Sequence, residues 1–306
     1  MKAMLYKSYG NSDVLELKQV NKPGMKDNEV LIRVKATTIN PFDMKIRSGN
    51  MQKMMPVQLP YIPGLDESGV VEATGNKVTR IKVGDEVFAT SSAGSYAEYV
   101  VTNEDQVALK PKNVTFDEAA SLAIPLATSY AVLVEAGQLQ KGQKILIQGA
   151  SGAVGSIMVQ MAKALGAYVI GTASGKGVNK IKDLGADEAI DYKTQDFTTL
   201  VKDMDIVADL VGGEAQVKSF EVLKKGGKLL SIVMPPSTEL AEKFNVEAQF
   251  VSSKSSHEKL EFGMKLLEQG KIKPAISRII KLEQAAEAQD LVSSGGVNGK
   301  VVLEIN

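Results

Sequence analysis

Apolar and polar residues alternate from Glu29 to Asn40, with Val30, Ile32, Val34 and Ala36 on one face and Arg33 and Lys35 on the other. A two-residue period is that of a strand with one buried face. Shorter runs of the same kind follow at Ser68–Ala73, Glu86–Ala89 and Tyr96–Val101. Between them stand Pro63-Gly64, Gly75-Asn76 and Gly84-Asp85, pairs that favour turns. Residues 1 to about 110 therefore read as β-rich. The stretch 48–63 has three prolines and no period, which predicts a loop beside a site.

From about Phe116 the rhythm changes. A helix is predicted over Ile124–Gly137, followed by short apolar runs at 144–148, 167–173, 188–191, 205–210, 228–233 and 246–251. Helical segments separate them. In one of these, Ala153–Leu165, the residues Ala153, Val154, Ile157, Met158, Met161, Ala162 and Leu165 form a stripe. Six strands alternating with helices imply a doubly wound parallel sheet, and so an α/β fold. The tail reads as two helices, 257–268 and 282–293, then a strand at 300–305 after a Gly-rich turn. A strand arriving after the sheet is complete is expected to return to the β-rich part. The expected division is 1–121 for that domain, 122–262 for the cofactor domain, and 263–306 for the return.

The 306 residues carry 36 basic and 36 acidic side chains, and so no net charge. That balance argues against nucleic acid as a partner. No apolar run is expected to reach the roughly 18–20 residues that a membrane helix needs, so no membrane partner is expected. The start carries no signal-peptide core, which makes the cytoplasm the expected location. Cysteine is absent, and with it thiolate nucleophiles and sulfur-ligated zinc. The single histidine, His257, lies in Ser255-Ser256-His257-Glu258-Lys259, which reads as the capped start of a surface helix. No Gly-x-Ser-x-Gly elbow accompanies it. Whatever chemistry occurs must be borrowed from a cofactor.

Gly149-Ala150-Ser151-Gly152-Ala153-Val154-Gly155 joins the apolar run 144–148 to the striped helix. Glycines at such a junction permit a tight turn, close approach of a pyrophosphate and close packing of helix on sheet. The amides at the helix start then face the anion. About 20 residues beyond, NAD-binding sheets tend to place a carboxylate for the ribose 2′-hydroxyl. Here Ser174 and Lys176 stand there, and no carboxylate occurs until Asp183. A hydroxyl and an ammonium attract a 2′-phosphate, so NADP(H) is the expected cofactor. Tyr192 is a third candidate contact, and Lys180 is the competing ammonium.

With these residues the chain resembles the medium-chain dehydrogenase/reductase family, in its zinc-independent, ζ-crystallin-like quinone oxidoreductase branch. The resemblance covers nearly the whole chain. It rests on Ile39-Asn40-Pro41-Phe42-Asp43 with Ile46-Arg47-Ser48-Gly49, on Pro63-Gly64-Leu65-Asp66-Glu67-Ser68-Gly69, and on Val83-Gly84-Asp85-Glu86-Val87. Gly94-Ser95-Tyr96-Ala97-Glu98-Tyr99, Ile124-Pro125-Leu126-Ala127-Thr128-Ser129-Tyr130, the glycine loop and Gly299-Lys300-Val301-Val302-Leu303 complete it. It implies a partly open GroES-like β-barrel catalytic domain carrying a Rossmann cofactor domain, and a homodimer. Where the family's alcohol dehydrogenases have a ligand cysteine this chain has Asn40, and their Gly-His-Glu ligand motif is here Gly64-Leu65-Asp66-Glu67. The oxygens of Asp43, Asp66 and Glu67 remain as donors, but without nitrogen or sulfur ligands zinc is not expected.

The resemblance implies hydride transfer from NADPH to a quinone or to the β-carbon of an α,β-unsaturated carbonyl compound, acceptors that delocalise the incoming charge. It places Asn40 and Asp43 at the nicotinamide or substrate as catalytic residues, and Thr128 at the cofactor. Ser151, Ala153 and Val154 fall on the pyrophosphate, and Leu210, Val211 and Gly212 on the adenosine or its ribose. Val233 and Met234 fall on the nicotinamide, and Asn298 and Lys300 return near the cofactor. Each has a simpler alternative: Asn40 as a turn former, Asp43 as a helix cap, Thr128 as packing. A tyrosine common after the Ser-Gly pair is replaced by Asn50-Met51, which leaves Tyr61, Tyr96 or water as proton source. Met51, Met54 and Met55 either line an acceptor pocket or belong to a loop. A cofactor-binding protein engaged in sensing or RNA binding is the competing function.

Overall fold

The computed structural model describes residues 1–305. Seven strands come first: β1 (Lys2–Leu5), β2 (Glu16–Gln19), β3 (Glu29–Thr38), β4 (Asp66–Thr74), β5 (Glu86–Thr90), β6 (Tyr99–Asn103) and β7 (Val107–Leu109). Helix α1 (Pro41–Arg47) lies between β3 and β4, and α2 (Phe116–Tyr130) follows β7. Then β8 (Lys144–Gln148), α3 (Ala153–Ala164), β9 (Tyr168–Ala173), α4 (Lys176–Asp183), β10 (Glu188–Asp191) and α5 (Phe197–Leu200) alternate. The alternation continues through β11 (Met204–Asp209), α6 (Gly213–Ser219), β12 (Leu223–Ser231), α7 (Thr238–Phe244) and β13 (Glu247–Phe250). The chain closes with α8 (His257–Glu268), β14 (Ile276–Lys281), α9 (Ala285–Ser293) and β15 (Lys300–Glu304).

Two compact units result, one of residues 1–124, 255–261 and 274–306, the other of 125–254 and 262–273. The chain thus leaves the first unit within α2 and re-enters it twice near the end. The division expected from sequence placed the first crossing at 121/122 and a single return at 263.

In the first unit, β3 is the hub of an antiparallel, partly open barrel. It pairs with β4, β6 and β15, while β5 and β7 extend the sheet beyond β4. Val30, Ile32, Val34 and Ala36 of β3 are all buried, as their alternation requires. β14 lies parallel to β15 at the edge. Its sequence, mostly exposed and without a clean period, left it unannounced.

The second unit is a six-stranded parallel sheet in the order β10-β9-β8-β11-β12-β13. The order reverses between β8 and β11, the switch point outside which ligands bind in such sheets. Leu146, Ile170, Ile190, Val207 and Val222 pack together as part of its core.

Helix α2 starts eight residues before the predicted Ile124. Thr115 Oγ1 accepts from the Glu118 amide (3.2 Å), and Glu118 Oε2 accepts from the Thr115 amide (2.9 Å). This reciprocal cap fixes the start. The helix runs through Pro125 and widens over residues 131–136, where the Gly137 amide reaches back to the Val132 carbonyl at 2.8 Å. The span Phe116–Ala136 is long and apolar enough by length and composition to cross a bilayer, which corrects the expectation that no segment would be. Seventy-two per cent of an 18-residue apolar stretch within it is buried, the mark of a core helix.

Candidate active site

In the first unit, chain segments far apart in sequence bring five polar groups together. β3 ends at Thr38, and Asn40 precedes α1 with Pro41 at the first helical position. β4 begins with Asp66, and β15 begins with Lys300. The Lys300 ammonium reaches Asn40 Oδ1 at 2.6 Å, Asp66 Oδ2 at 2.7 Å and Thr38 Oγ1 at 2.8 Å. Asn40 Nδ2 donates to the same Asp66 oxygen at 2.9 Å, and Thr38 Oγ1 donates to it as well. The other Asp66 oxygen accepts from the Ile124 amide at 2.9 Å. Asp66 is fully buried and Lys300 is 3% exposed.

Asp43 adjoins this cluster on α1. One of its oxygens accepts from the Asn40 amide (2.9 Å) and from the Tyr96 hydroxyl (3.0 Å). Burial pushes its carboxyl up to about 7, against the pull of those two donors and of Lys300. Burial, with Asp43 alongside, holds the Tyr96 phenol well above its usual range. Glu67, beside Asp66 on β4, is raised by burial to about 8. Its Oε1 accepts from Thr102 at 2.7 Å, and its Oε2 is buried without a partner among the described residues.

In the second unit, the glycine turn follows β8. Gly149 adopts φ +73°, where a side chain would be strained, and its amide donates to Thr172 Oγ1 at 3.2 Å. A Cβ on Gly155 would lie 2.3 Å from the Gly149 carbonyl oxygen, so helix and turn meet where only glycine fits. Gly152 caps α3 without a side chain, which leaves the amides of the first helical turn open to an anion. The Lys180 ammonium donates to the Ser151 carbonyl at 3.0 Å, and burial lowers its proton affinity. It braces the turn, while Lys176 is exposed at the start of α4. Ser174 and Tyr192 meet at 3.2 Å between their hydroxyls.

These features are matched by known proteins. Family models described as an alcohol dehydrogenase GroES-like domain and a zinc-binding dehydrogenase match residues 26–112 and 184–303. A quinone oxidoreductase of Sus scrofa is 33% identical, with 99% of this chain and 97% of that protein covered. The chain belongs to the zinc-independent quinone oxidoreductase branch of the medium-chain dehydrogenase/reductase family. A 2-methylene-furan-3-one reductase of Solanum lycopersicum is 38% identical over 99% of this chain and 79% of its own. The structure of the Escherichia coli quinone oxidoreductase complexed with NADPH superposes with a TM-score of 0.91 at 25% identity, both chains fully covered.

Within this medium-chain reductase, the donor set does not fit the metal in the family model's description. Leu65 has no donor atom, and among the described residues no three His, Cys, Asp or Glu side chains converge on a metal position. The glycine turn, by contrast, fits a pyrophosphate, since it keeps its amides open and excludes any Cβ at Gly155. Of the expected site residues, Asn40, Asp43 and Lys300 are brought together in the first unit. The Asn40 side chain takes part in the cluster, and Asp43 caps α1 through the Asn40 amide while also accepting from Tyr96. Asn298 is exposed on the turn before β15. In the second unit, Thr128 is buried in α2 with no partner for its hydroxyl among the described residues. Val211 and Met234 are exposed apolar side chains after β11 and β12, beside Leu210, Gly212 and Val233.

Three residues escaped the sequence reading. Asp209, fully buried, accepts from the Val211 and Gly212 amides (3.0 and 2.7 Å), Gln216 Nε2 (2.9 Å) and Ser231 Oγ (2.7 Å). It thereby ties the loops after β11 and β12 together. Its only signal was an acid closing an apolar run. Asp191, next to Tyr192, has a carboxylate that accepts from the Gly175 and Lys193 amides (3.3 and 3.0 Å). Thr38 closes the Lys300 cluster and had no motif to mark it.

Proposed function

We propose that the protein is an NADPH-dependent reductase that delivers hydride, without zinc, to a quinone or to the β-carbon of an α,β-unsaturated carbonyl compound. The observation that carries this reading is the polar cluster at the family's metal position, where an internal ammonium and oxygens stand in place of zinc ligands. Such a site lacks the Lewis acid that alcohol oxidation relies on, and activated acceptors need less electrophilic help. NADPH, when bound, supplies the hydride. The chain's own residues bind and orient: Ser151, Ala153 and Val154 hold the pyrophosphate through the turn shaped by Gly149, Gly152 and Gly155. Ser174, Lys176 and Tyr192 hold the 2′-phosphate. Leu210, Val211 and Gly212 border the adenosine ribose, and Thr128, Val233, Met234 and Asn298 the nicotinamide end. Asn40 and Asp43 supply polar groups to the reactants, the first as an amide donor and the second as a proton-carrying acid.

The NADPH-bound Escherichia coli structure and the furanone reductase of tomato support both halves of the reading. A homodimer and a cytoplasmic location belong to the same proposal. The outer strand β13, with Phe250 46% exposed, offers a free sheet edge for a second copy, to be checked by light scattering, and fractionation checks the location. The test of function follows NADPH absorbance on addition of quinones and alkenals. Turnover unaffected by chelators and faster with NADPH than NADH is expected; no turnover across a broad acceptor panel refutes it.

A further inference from the structure

The cluster around Lys300 is closed on itself in an unusual way. An ammonium has three donors and no acceptor, and all three are matched: one by Asn40 Oδ1, one by Asp66 Oδ2, one by Thr38 Oγ1, at 2.6–2.8 Å. Those three oxygens come from an amide, a carboxylate and a hydroxyl, and together they line a socket for one small cation. The ammonium also decides which way Asn40 faces. Only the amide oxygen can accept from Lys300, and only the amide nitrogen can donate to Asp66, which it does at 2.9 Å. Reversing the amide would set two donors against each other on one side and two acceptors on the other. One N–H of Asn40 is thereby left without an acceptor among the described residues.

We propose that Lys300 is a positioning residue, an internal cation that fills the socket of Thr38, Asn40 and Asp66 and locks the Asn40 amide so that its second N–H is presented to the reactants. This rests on the reading of Asn40 as a reactant-facing donor given above. Lys300 then serves the reaction from inside the unit, with its ammonium committed to protein oxygens, rather than as the cofactor contact that the family resemblance suggested. The carboxylate of Asp66 holds the ammonium by charge, and Thr38 completes the coordination from the end of β3.

The test is chemical rescue. Lys300→Ala removes the ammonium and three methylenes, which n-propylammonium replaces in charge, donors and length. Circular dichroism and thermal melts report folding, and steady-state kinetics report kcat and KM for the acceptor. In K300A, kcat is expected to fall roughly tenfold or more, with KM changed by less than about threefold, because a misdirected donor costs more in the transition state than in binding. Millimolar n-propylammonium should restore kcat severalfold and raise the melting temperature; tetramethylammonium and 1-propanol, which lack either donors or charge, should do neither. In an Asn40→Ala background, K300A should lower kcat by less than about twofold further, since the two act through one group. Rescue that is absent, or equal with all three additives, overturns the socket. Equal costs of K300A with and without Asn40 overturn the positioning role. If the wild-type protein reduces no acceptor, the function proposed above fails, yet the melting arm still decides the socket by itself. If K300A is recovered only unfolded, refolding with n-propylammonium against tetramethylammonium decides between the outcomes: selective recovery sustains the socket and recovery with neither refutes it.

Discussion

Asp43, like Glu67, is a carboxyl of the first unit that burial raises toward neutral pH. Its carboxyl is driven up to about 7 by burial, then by nearby Asp66, and restrained by the Asn40 amide, the Tyr96 hydroxyl and Lys300. The phenols of Tyr6 and Tyr61 also feel its charge. Acting in its acid form, Asp43 should make kcat fall as pH rises through about 7. Asp43→Asn should remove that inflection and lower kcat by about 10²-fold; a profile with the same inflection in the variant would show that another group titrates. Glu67 bears on stability instead. Its carboxyl lies near 8 in the fold against 4.5 as the ordinary value, so the folded protein binds the proton more tightly than the unfolded chain. The stability it contributes is complete below about pH 4.5 and is lost as pH rises to about 8. Glu67→Gln keeps the acceptor for Thr102 and cannot ionise. Denaturant unfolding at pH 5 and pH 9 should find it close to wild type at the first and more stable by ~1–3 kcal/mol at the second. Equal slopes in both proteins would show that Glu67 is not held protonated. The sequence could name Asp43 and Glu67, because motifs carry them, but not the held proton of Glu67 nor Thr38 at all, since these come from burial and from partners across the sheet.

At the scale of elements, the turn between β8 and α3 separates packing from ligand binding. Gly155 faces the Gly149 carbonyl so closely that a methyl group at 2.3 Å must push the turn apart. Gly152, at φ −70°, would place a Cβ no closer than 3.4 Å to that same oxygen, which is ordinary contact. Gly155→Ala should therefore lower stability by ~1–3 kcal/mol and weaken NADPH binding together. Gly152→Ala should leave the melting temperature nearly unchanged yet weaken NADPH by roughly tenfold, because the methyl group would stand where the pyrophosphate is proposed to approach. Calorimetric titration beside thermal melts checks both, and a destabilised G152A would mean that this glycine serves packing after all. This turn was legible because strand period, glycines and helical stripe are local signals. The start of α2 carried one too, the Thr115-x-x-Glu118 cap, which the apolar run from Ile124 masked. β14 gave no such signal, since an exposed edge strand has no buried face to impose a period.

Over the whole molecule, the two units differ in how their sites are written into the chain. The second unit gathers the residues proposed for the cofactor at the ends of successive strands, where counting strands and helices places them. The first unit gathers Thr38, Asn40, Asp66, Ile124 and Lys300 across more than 260 positions of sequence, and no period links such residues; only the family resemblance reached Asn40 and Lys300. The same division predicts how variants combine. The partners of Asp43 all lie in the first unit, and the Ser174–Tyr192 pair near Lys176 lies in the second. Lys176→Ala removes an ammonium proposed for the 2′-phosphate, a charge-assisted contact of ~1.5–3 kcal/mol, and should raise KM for NADPH at least tenfold while KM for NADH and kcat stay near wild type. Asp43→Asn should lower kcat with KM for NADPH little changed. The double variant should show the product of the two effects within about twofold, as independent sites do. A deviation of tenfold or more in kcat/KM would mean that nucleotide choice and acid chemistry are one device, and the assignment of each to its own unit would have to be abandoned.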